Sequence, residues 1–251
     1  MTQFINKAHA KRLTGLSYLA TVSETVKHKK SIKYGELTYS LYLAPAKTSG
    51  YEVCPGRTSE CTEFCMNESG MNTMTQNIKG DVINNSRIKK TRLFFEEPEL
   101  FMGWLIAEIE SGITRAKKLG YFFSVRLNNT SDISPEDFIY KGKNILDIFP
   151  DIQFYDYTKV INRVKLLNVY KNYDLTFSYN GYNWDICKQM LDNNIRVAVV
   201  FKKIPETFME YRVINGDLYD MRFRDTEPVI VGLKYKRVRN KLTPNIKFVI
   251  Q

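Results

Sequence analysis

The sequence predicts an α/β fold, a partial (β/α)6 barrel with parallel strands, and three observations lead there. Strand-like and helix-like segments alternate from residue 121 to 233 at spacings that suit right-handed crossovers. The run Arg196-Val-Ala-Val-Val-Phe201 is apolar throughout, as a strand covered on both faces is. Three of the four cysteines fall in one loop, residues 54–65, directly after the first strand-like run, Leu37-Thr-Tyr-Ser-Leu-Tyr-Leu43.

The elements follow in order. Residues 1–33 are polar and basic without a clear period, and read as an N-terminal extension with some helix or hairpin. Residues 34–251 form a single barrel-like domain. A turn-rich stretch, residues 45–51, leads into the cysteine loop, and residues 67–70 have the composition of a tight turn. Residues 81–92 read as a helix carrying Arg87, Lys89, Lys90 and Arg92. A stronger helix starts at Pro98, with Phe101, Trp104, Leu105, Ile109, Ile113 and Ala116 at three- and four-residue steps, and stops at Gly120.

Residues 121–127 are the second strand, followed by a helix after Pro135 that carries Ile145 and Leu146. Residues 152–157 form the third strand, with a helix through Ile161, Val164 and Leu167. Residues 174–178 form the fourth, with a helix through Trp184, Cys187, Met190 and Leu191. Cys187 lies on the apolar face of that helix and reads as a core thiol. After the fifth strand, residues 211–223 suggest a small hairpin insertion around Asn215-Gly216. Residues 229–233 are the last strand, and residues 234–247 make a basic tail.

At 251 residues and 43% hydrophobic content the chain can bury a real core, which excludes disorder as the default. Its net charge of +10 points to a polyanionic partner, nucleic acid or a nucleotide. No run has the length of a membrane span and no signal-peptide pattern opens the chain. Cysteines clustered in one place, not spread as an even framework, point to a reducing cytoplasm.

The spacing Cys54-x6-Cys61-x3-Cys65 carries the chemistry. Three thiols that close cannot all pair with one another, and soft thiolates on a loop suit zinc or an iron–sulfur cluster. Structural zinc wants four protein ligands, yet the only histidines, His9 and His28, lie upstream, and no second cysteine pair completes a ribbon. A [4Fe–4S] cluster with one open iron is therefore the first expectation and zinc the second. Unligated thiols in a turn-rich loop are the plain alternative.

In parallel α/β folds functional groups collect beyond the carboxyl ends of the strands. That rule selects Arg126, Tyr157, Asn180 and Lys202 to face a substrate, and Asp132, Asp156 and Lys159 as catalytic candidates. Asp132 also fits a turn or helix cap. Asp156, inside an aromatic strand, needs a partner or a cavity, and Lys159 or Arg163 could pair it. Tyr155 and Tyr157 are expected on opposite faces of that strand.

The cysteine triplet just after strand one, followed by βα units, resembles the partial barrel of radical S-adenosylmethionine enzymes. That resemblance implies a [4Fe–4S] cluster on Cys54, Cys61 and Cys65, with S-adenosylmethionine oriented by Asn128, Ser131 and Asp132. The usual Cys-x3-Cys-x2-Cys spacing and the Gly-Gly-Glu after strand two are absent here, and residues 128–132 occupy the latter place. More closely, Leu43-Ala-Pro-Ala-Lys-Thr-Ser-Gly-Tyr-Glu-Val-Cys-Pro55, Arg126-Leu-Asn-Asn-Thr-Ser-Asp132 and Phe154-Tyr-Asp-Tyr-Thr-Lys159 resemble an uncharacterised bacteriophage family, gene product 88-like. This implies a phage or mobile-element origin, hence a bacterial host cytoplasm, and no particular activity.

Three functional readings follow. The first is an iron–sulfur enzyme of radical S-adenosylmethionine type acting on a nucleotide or nucleic acid. The second is a zinc-bearing barrel that exchanges or cleaves a base at a glycosidic bond, with Asp132 and Asp156 as nucleophile and acid/base. The third is a metal-stapled module that grips nucleic acid without turnover.

Overall fold

The computed structural model describes residues 7–22, 26–65, 81–225, 228–236 and 246–251. Helices α1 (Lys7–Thr14) and α2 (Val26–Ile32) precede β1 (Glu36–Ser40). The cysteine loop holds the short helix α3 (Ser59–Glu63), and α4 (Val82–Glu96) and α5 (Pro98–Leu119) come next. Then come β2 (Phe122–Arg126), the hairpin β3 (Ile139–Tyr140) and β4 (Lys143–Asn144), α6 (Ile145–Ile148) and β5 (Gln153–Thr158). A 3-10 segment leads into α7 (Leu166–Val169), followed by β6 (Tyr173–Ser178), α8 (Trp184–Asp192) and β7 (Val197–Phe201). The chain closes with β8 (Thr207–Phe208), β9 (Tyr211–Asn215), β10 (Ile230–Lys234) and β11 (Val249–Ile250).

One sheet runs β1-β2-β5-β6-β7-β10-β9-β8, with β11 beside β7. Its pairings are parallel apart from the β8–β9 hairpin. Among the described residues no pairing joins β1 to the far end of this order. What is shown is a mixed α/β fold with a mostly parallel sheet, and not a closed barrel. β6 pairs with β7 only at Val197 and Ala198, and β11 takes up Val200 and Phe201. The C-terminal strand therefore fills the seam that opens between β6 and β7 at their carboxyl ends.

Local chemistry sets the main helices. Pro98 begins α5 in the first turn, where its missing N–H costs nothing. Gly120 ends it at φ 66°, a left-handed position that a Cβ would strain, and its N–H reaches the Ala116 and Lys117 carbonyls. Asp81 caps α4 by accepting from the Asn84 N–H. The apolar stripe of α5 buries Phe101, Trp104, Leu105 and Ile109 against Leu37, Phe123 and Val125 of the sheet. Each such side chain contributes roughly 1.5–3 kcal/mol by leaving water. At Gly112 the approach is so close that a Cβ would stand 2.4 Å from the Phe123 ring. Glu108, buried on the same helix, accepts from the Leu19 and Ala20 N–H groups and from the Tyr39 hydroxyl, which ties the N-terminal segment to β1.

Strand alternation gives the two faces different characters. Apart from Asp156 and Thr158 at the end of β5, the helix-facing side is apolar: Phe154 and Leu175 join the α5 core, and Phe177, Val197, Val199 and Phe201 pack with Cys187 of α8. The opposite face carries Glu36, Thr38, Ser124, Arg126, Tyr155 and Thr176, all buried. Residues 216–225 form a strap that reaches this polar face. Arg224 donates to Glu36 at 2.7 Å, and the Phe223 ring lies 5.4 Å from that of Tyr155.

Three expectations are corrected. The hairpin lies one strand earlier than Asn215-Gly216 suggested. Met209 and Glu210, at φ 48° and 70°, turn β8 into β9, and β9 then runs parallel to β10 in the main sheet. After Pro135 there is a 3-10 turn and the β3–β4 hairpin before the short α6, not one continuous helix. Among the described residues the only helical element between β7 and β10 is a 3-10 turn, Arg222–Arg224, with no α-helix, so strict βα alternation stops at β7. The expected turn at 67–70 and most of the basic tail lie outside the described residues. Among the described residues, no helix is long and apolar enough to cross a membrane.

Candidate functional site

The cysteine loop starts at the carboxyl end of β1 and is pinned from its first residues. The Asp132 N–H donates to the Val53 carbonyl at 2.7 Å, and the Thr130 hydroxyl donates to the Leu43 carbonyl at 2.6 Å. Gly56 lies against the backbone of Lys159, where an added Cβ would stand 2.9 Å away. Further along, Phe64 packs on Ile246 and Val249, and Glu60 accepts from the Lys247 N–H at 3.0 Å. The loop thus runs over the carboxyl edge of the sheet from β1 to β11.

Its three thiols lie along that edge, with Cys61 and Cys65 near enough to Cys54 to act on its thiol. The Ala46 N–H donates to Cys54 Sγ at 3.4 Å, and Cys54 Sγ lies 3.8 Å from the Thr130 carbonyl. Burial pushes the Cys54 thiol up to about 11. The Ala46 N–H works against that push, and Cys65, Asp132 and Cys61 add to it. Cys65 also acts on Arg87, whose guanidinium stacks 5.2 Å from the Tyr42 ring centre and is held below its ordinary value by burial.

The acids selected from the sequence meet at one place. Arg163 donates to Asp132 and, at 3.1 Å, to Asp156, and it also reaches the Tyr173 hydroxyl. Asp132 accepts further from the Thr158 hydroxyl at 2.7 Å and the Lys159 N–H at 2.8 Å. Asp156 accepts from the Asn128 N–H at 2.9 Å and its side-chain amide at 2.8 Å. Burial raises the Asp156 carboxyl, while Arg163 and Asn128 pull it down. Asn128 in turn accepts from the Ser131 hydroxyl and the Ile133 N–H.

This hub is an organising device. It fixes the loop after β2, and through that loop the position of Cys54. Asp156 lies on the helix-facing side of β5, and Lys159 meets Asp132 through its backbone. Of the two partners expected for Asp156, Arg163 is the one it has.

The polar face supplies a second cluster at the same edge. Arg126 donates to Asp220 of the strap at 2.6 Å, and its guanidinium stacks 4.6 Å from the Tyr157 ring centre. Burial works against the Arg126 charge, but Asp220, Tyr157, Tyr155 and Asp156 together hold the group above its ordinary value. Tyr155 donates to the same aspartate at 3.4 Å. Tyr155 and Tyr157, two residues apart on a strand, share this face, which corrects the expectation that they oppose each other. Asn180 and Lys202 stand apart from this cluster. Asn180 accepts from the Tyr182 N–H in a local turn, and Lys202 is exposed, with its N–H on the Ile250 carbonyl.

Sequence reasoning missed the strap. Asp220 and Arg222, both 1% exposed, lie in a stretch that read as a hairpin. The available signal was the density of charge at Asp220, Arg222, Arg224 and Asp225, more than a short exposed turn needs.

Three soft donors on one loop, one already accepting a backbone N–H, suit a thiolate-held metal in kind. Among the described residues no three His, Cys, Asp or Glu side chains stand in an arrangement that holds an ion, so the thiols would have to draw closer. Asp132 is committed to Arg163, Thr158 and Lys159 and is no ready fourth ligand.

Comparison with protein families matches the one described as gene product 88 over residues 5–245. No curated protein and no solved structure matches the chain. With nearly its whole length matched, the chain belongs to the gene product 88 family, a phage-type family.

Proposed function

We propose that the protein is a metal-dependent enzyme of nucleotide or nucleic-acid chemistry, with an iron–sulfur centre on Cys54, Cys61 and Cys65. The observation that carries this reading is the placing of three cysteines on one loop at the carboxyl edge of a parallel sheet, where such folds place their sites. Cys61 and Cys65 both stand near enough to push the Cys54 thiol up, and a bound cation would reverse that push. A [4Fe–4S] cluster, when bound, supplies one-electron chemistry. Arg126 and Tyr157 at the same edge would bind the substrate, and the strap would keep water from the polar face. The charge of +10 favours a polyanion.

The finer expectations have less support. A radical S-adenosylmethionine mechanism assigned Asn128, Ser131 and Asp132 to the cofactor, yet they bond to one another's loop and to Asp156, Thr158 and Arg163. A zinc-bearing base-exchange mechanism assigned Asp132 and Asp156 to nucleophilic and acid/base work. Both carboxylates are bound to Arg163, which disfavours those roles. The test is metal and sulfide analysis of protein purified without oxygen. Iron and acid-labile sulfide in near-equal amounts, lost on Cys61→Ala, support the reading; stoichiometric zinc without sulfide overturns it.

A further inference from the structure

The carboxyl edge of the sheet carries a rim of lysines that runs up to the cysteine loop. Lys202 and Lys203 follow β7, and Lys234 and Lys236 lie at and just beyond the end of β10, which pairs with β7. The Tyr235 N–H donates to the Phe201 carbonyl at 2.8 Å, so the two chain segments leave the sheet side by side. Lys247 leads into β11, whose Ile250 carbonyl takes the Lys202 N–H at 2.9 Å. Each of these lysines is exposed. Among the described residues none of them has a carboxylate partner.

The acids at this edge are engaged elsewhere. Glu60 takes the Lys247 backbone N–H at 3.0 Å and the Tyr182 hydroxyl at 3.5 Å, and Asp217 takes the Lys234 backbone N–H at 2.9 Å. Asp185 lies in the first turn of α8, where it answers the positive end of that helix. Glu206 comes soon after Lys203 in sequence, but its carbonyl takes the Val213 N–H. Val213 is level with Ile230 at the start of β10, the other end of these strands. A tyrosine stands at one end of the rim. Gly181, at φ 98°, packs so close to Lys247 that a Cβ would stand 2.9 Å from its backbone. Asn183 accepts the Asn180 N–H and Asn180 accepts the Tyr182 N–H, both at 2.9 Å, which fixes the corner. Tyr182 is held out from it, 59% exposed, with Lys247 Nζ 4.6 Å from its ring centre. A cation on one side and this much exposure leave ring surface for an unpaired base.

We infer that this rim takes a single-stranded nucleic acid, its phosphates along the lysines and one base on Tyr182. The unmatched cations call for an anion. Tyr182 follows β6 and Lys234 ends β10, with β7 between them, so at about 4.8 Å per strand they stand roughly 10 Å apart or more. That distance suits a chain of phosphates, not one. The exposed ring among the cations favours an unpaired strand over a duplex or an acidic protein. The strand passes the cysteine loop, because Glu60 of that loop touches both Lys247 and Tyr182. This deepens the proposed function by naming the strand's path, and it rests on the nucleic-acid half of that reading and not on the metal.

The experiment measures binding of labelled oligo-dT, oligo-U, a DNA duplex of the same length and polyglutamate by fluorescence anisotropy across a salt series. The full chain is compared with Lys202→Gln/Lys203→Gln, Tyr182→Ala and Cys61→Ala. A control, Lys117→Gln/Lys118→Gln, removes the same charge from the last turn of α5, at the opposite edge. At least one of the two single strands should bind, and the tighter one tells DNA from RNA. The rim double variant should bind it about tenfold more weakly, with a salt slope shallower by about 1.4, the loss of two phosphate contacts. Tyr182→Ala should weaken single-strand binding about tenfold and leave duplex binding unchanged. The α5 control and Cys61→Ala should bind as the wild type does, so this result and the metal result fail separately. No binding of either strand by folded wild type at low salt, equal losses in the two lysine variants, or polyglutamate bound as tightly as the strands overturns the inference. A Tyr182→Ala effect that is absent, or shared by the duplex, also overturns it, as does loss of strand binding in a folded Cys61→Ala.

Discussion

Arg126, the last residue of β2, donates to Asp220, 94 residues further along the chain, over 2.6 Å. This one pair ties the strap to the polar face of the sheet. Neither group has much water around it, the side chains being 11% and 1% exposed. Removing one partner therefore strands a buried charge. Arg126→Gln and Asp220→Asn should each destabilise by about 3–5 kcal/mol in denaturant unfolding. The double variant should lose clearly less than the sum. Additive losses would mean the pair does not interact as described.

The ionic hub makes a parallel claim about Asp156. Asp156→Asn keeps the size of the side chain but turns an acceptor towards Arg163 into a partial donor. A loss of about 3 kcal/mol is expected, with weaker anchoring of the loop that leads to Cys54. Arg163→Met should cost more, because two carboxylates then face each other in a dry site. Unchanged stability in Asp156→Asn, with function lost, would return Asp156 to the list of catalytic candidates.

Cys187 gives a prediction in pH. Burial pushes its thiol up to about 12 from an ordinary value near 9.0. The folded state keeps this proton where the unfolded state has lost it. Its contribution is therefore complete below pH 9 and disappears as pH rises towards 12. Wild-type stability should fall faster than that of Cys187→Ala over this window, by at most about 1.4 kcal/mol per pH unit. Parallel curves would show that the thiol titrates normally.

Nucleic-acid binding, if the +10 charge has that meaning, should weaken steeply with salt. The α4 cluster is not uniformly available for it. Lys90 is buried over the Tyr18 ring, 5.2 Å from its centre, whereas Lys89 is exposed. Lys89→Glu should lower affinity and leave the fold intact, while Lys90→Glu should lower the melting temperature. Filter binding across a salt series, with melting curves beside it, separates the two effects.

What could be read in advance was whatever local rules control. Pro98 and Gly120 bracket α5 because one suits a first turn and the other a left-handed stop. The continuous run at 196–201 declared a covered strand, and the cysteine loop stood where its position after β1 predicted. The strap was illegible because its partners are distant: Asp220 answers Arg126, and Arg224 answers Glu36 188 residues back. The β8–β9 turn was hidden because Met209 and Glu210 adopt positive φ without the Gly or Asn that usually signals it. That Asp156 needs a partner, Lys159 or Arg163, was legible; that the same Arg163 also holds Asp132, 31 residues away, was not.

Gly56 links the fold to the proposed metal site. An alanine there would place its Cβ 2.9 Å from the Lys159 backbone and lift the loop that carries Cys54. Gly56→Ala should reduce metal content per folded chain with little change in secondary structure by circular dichroism. Full metal loading in this variant would separate the loop's seating from metal binding.

The most direct measurement of the central claim is the iron, zinc and acid-labile sulfide content of protein purified and reconstituted without oxygen. The account predicts a brown protein with iron and sulfide in near-equal amounts, and colourless protein from Cys54→Ala, Cys61→Ala and Cys65→Ala. Stoichiometric zinc with no sulfide, or iron retained when these cysteines are replaced, would contradict it.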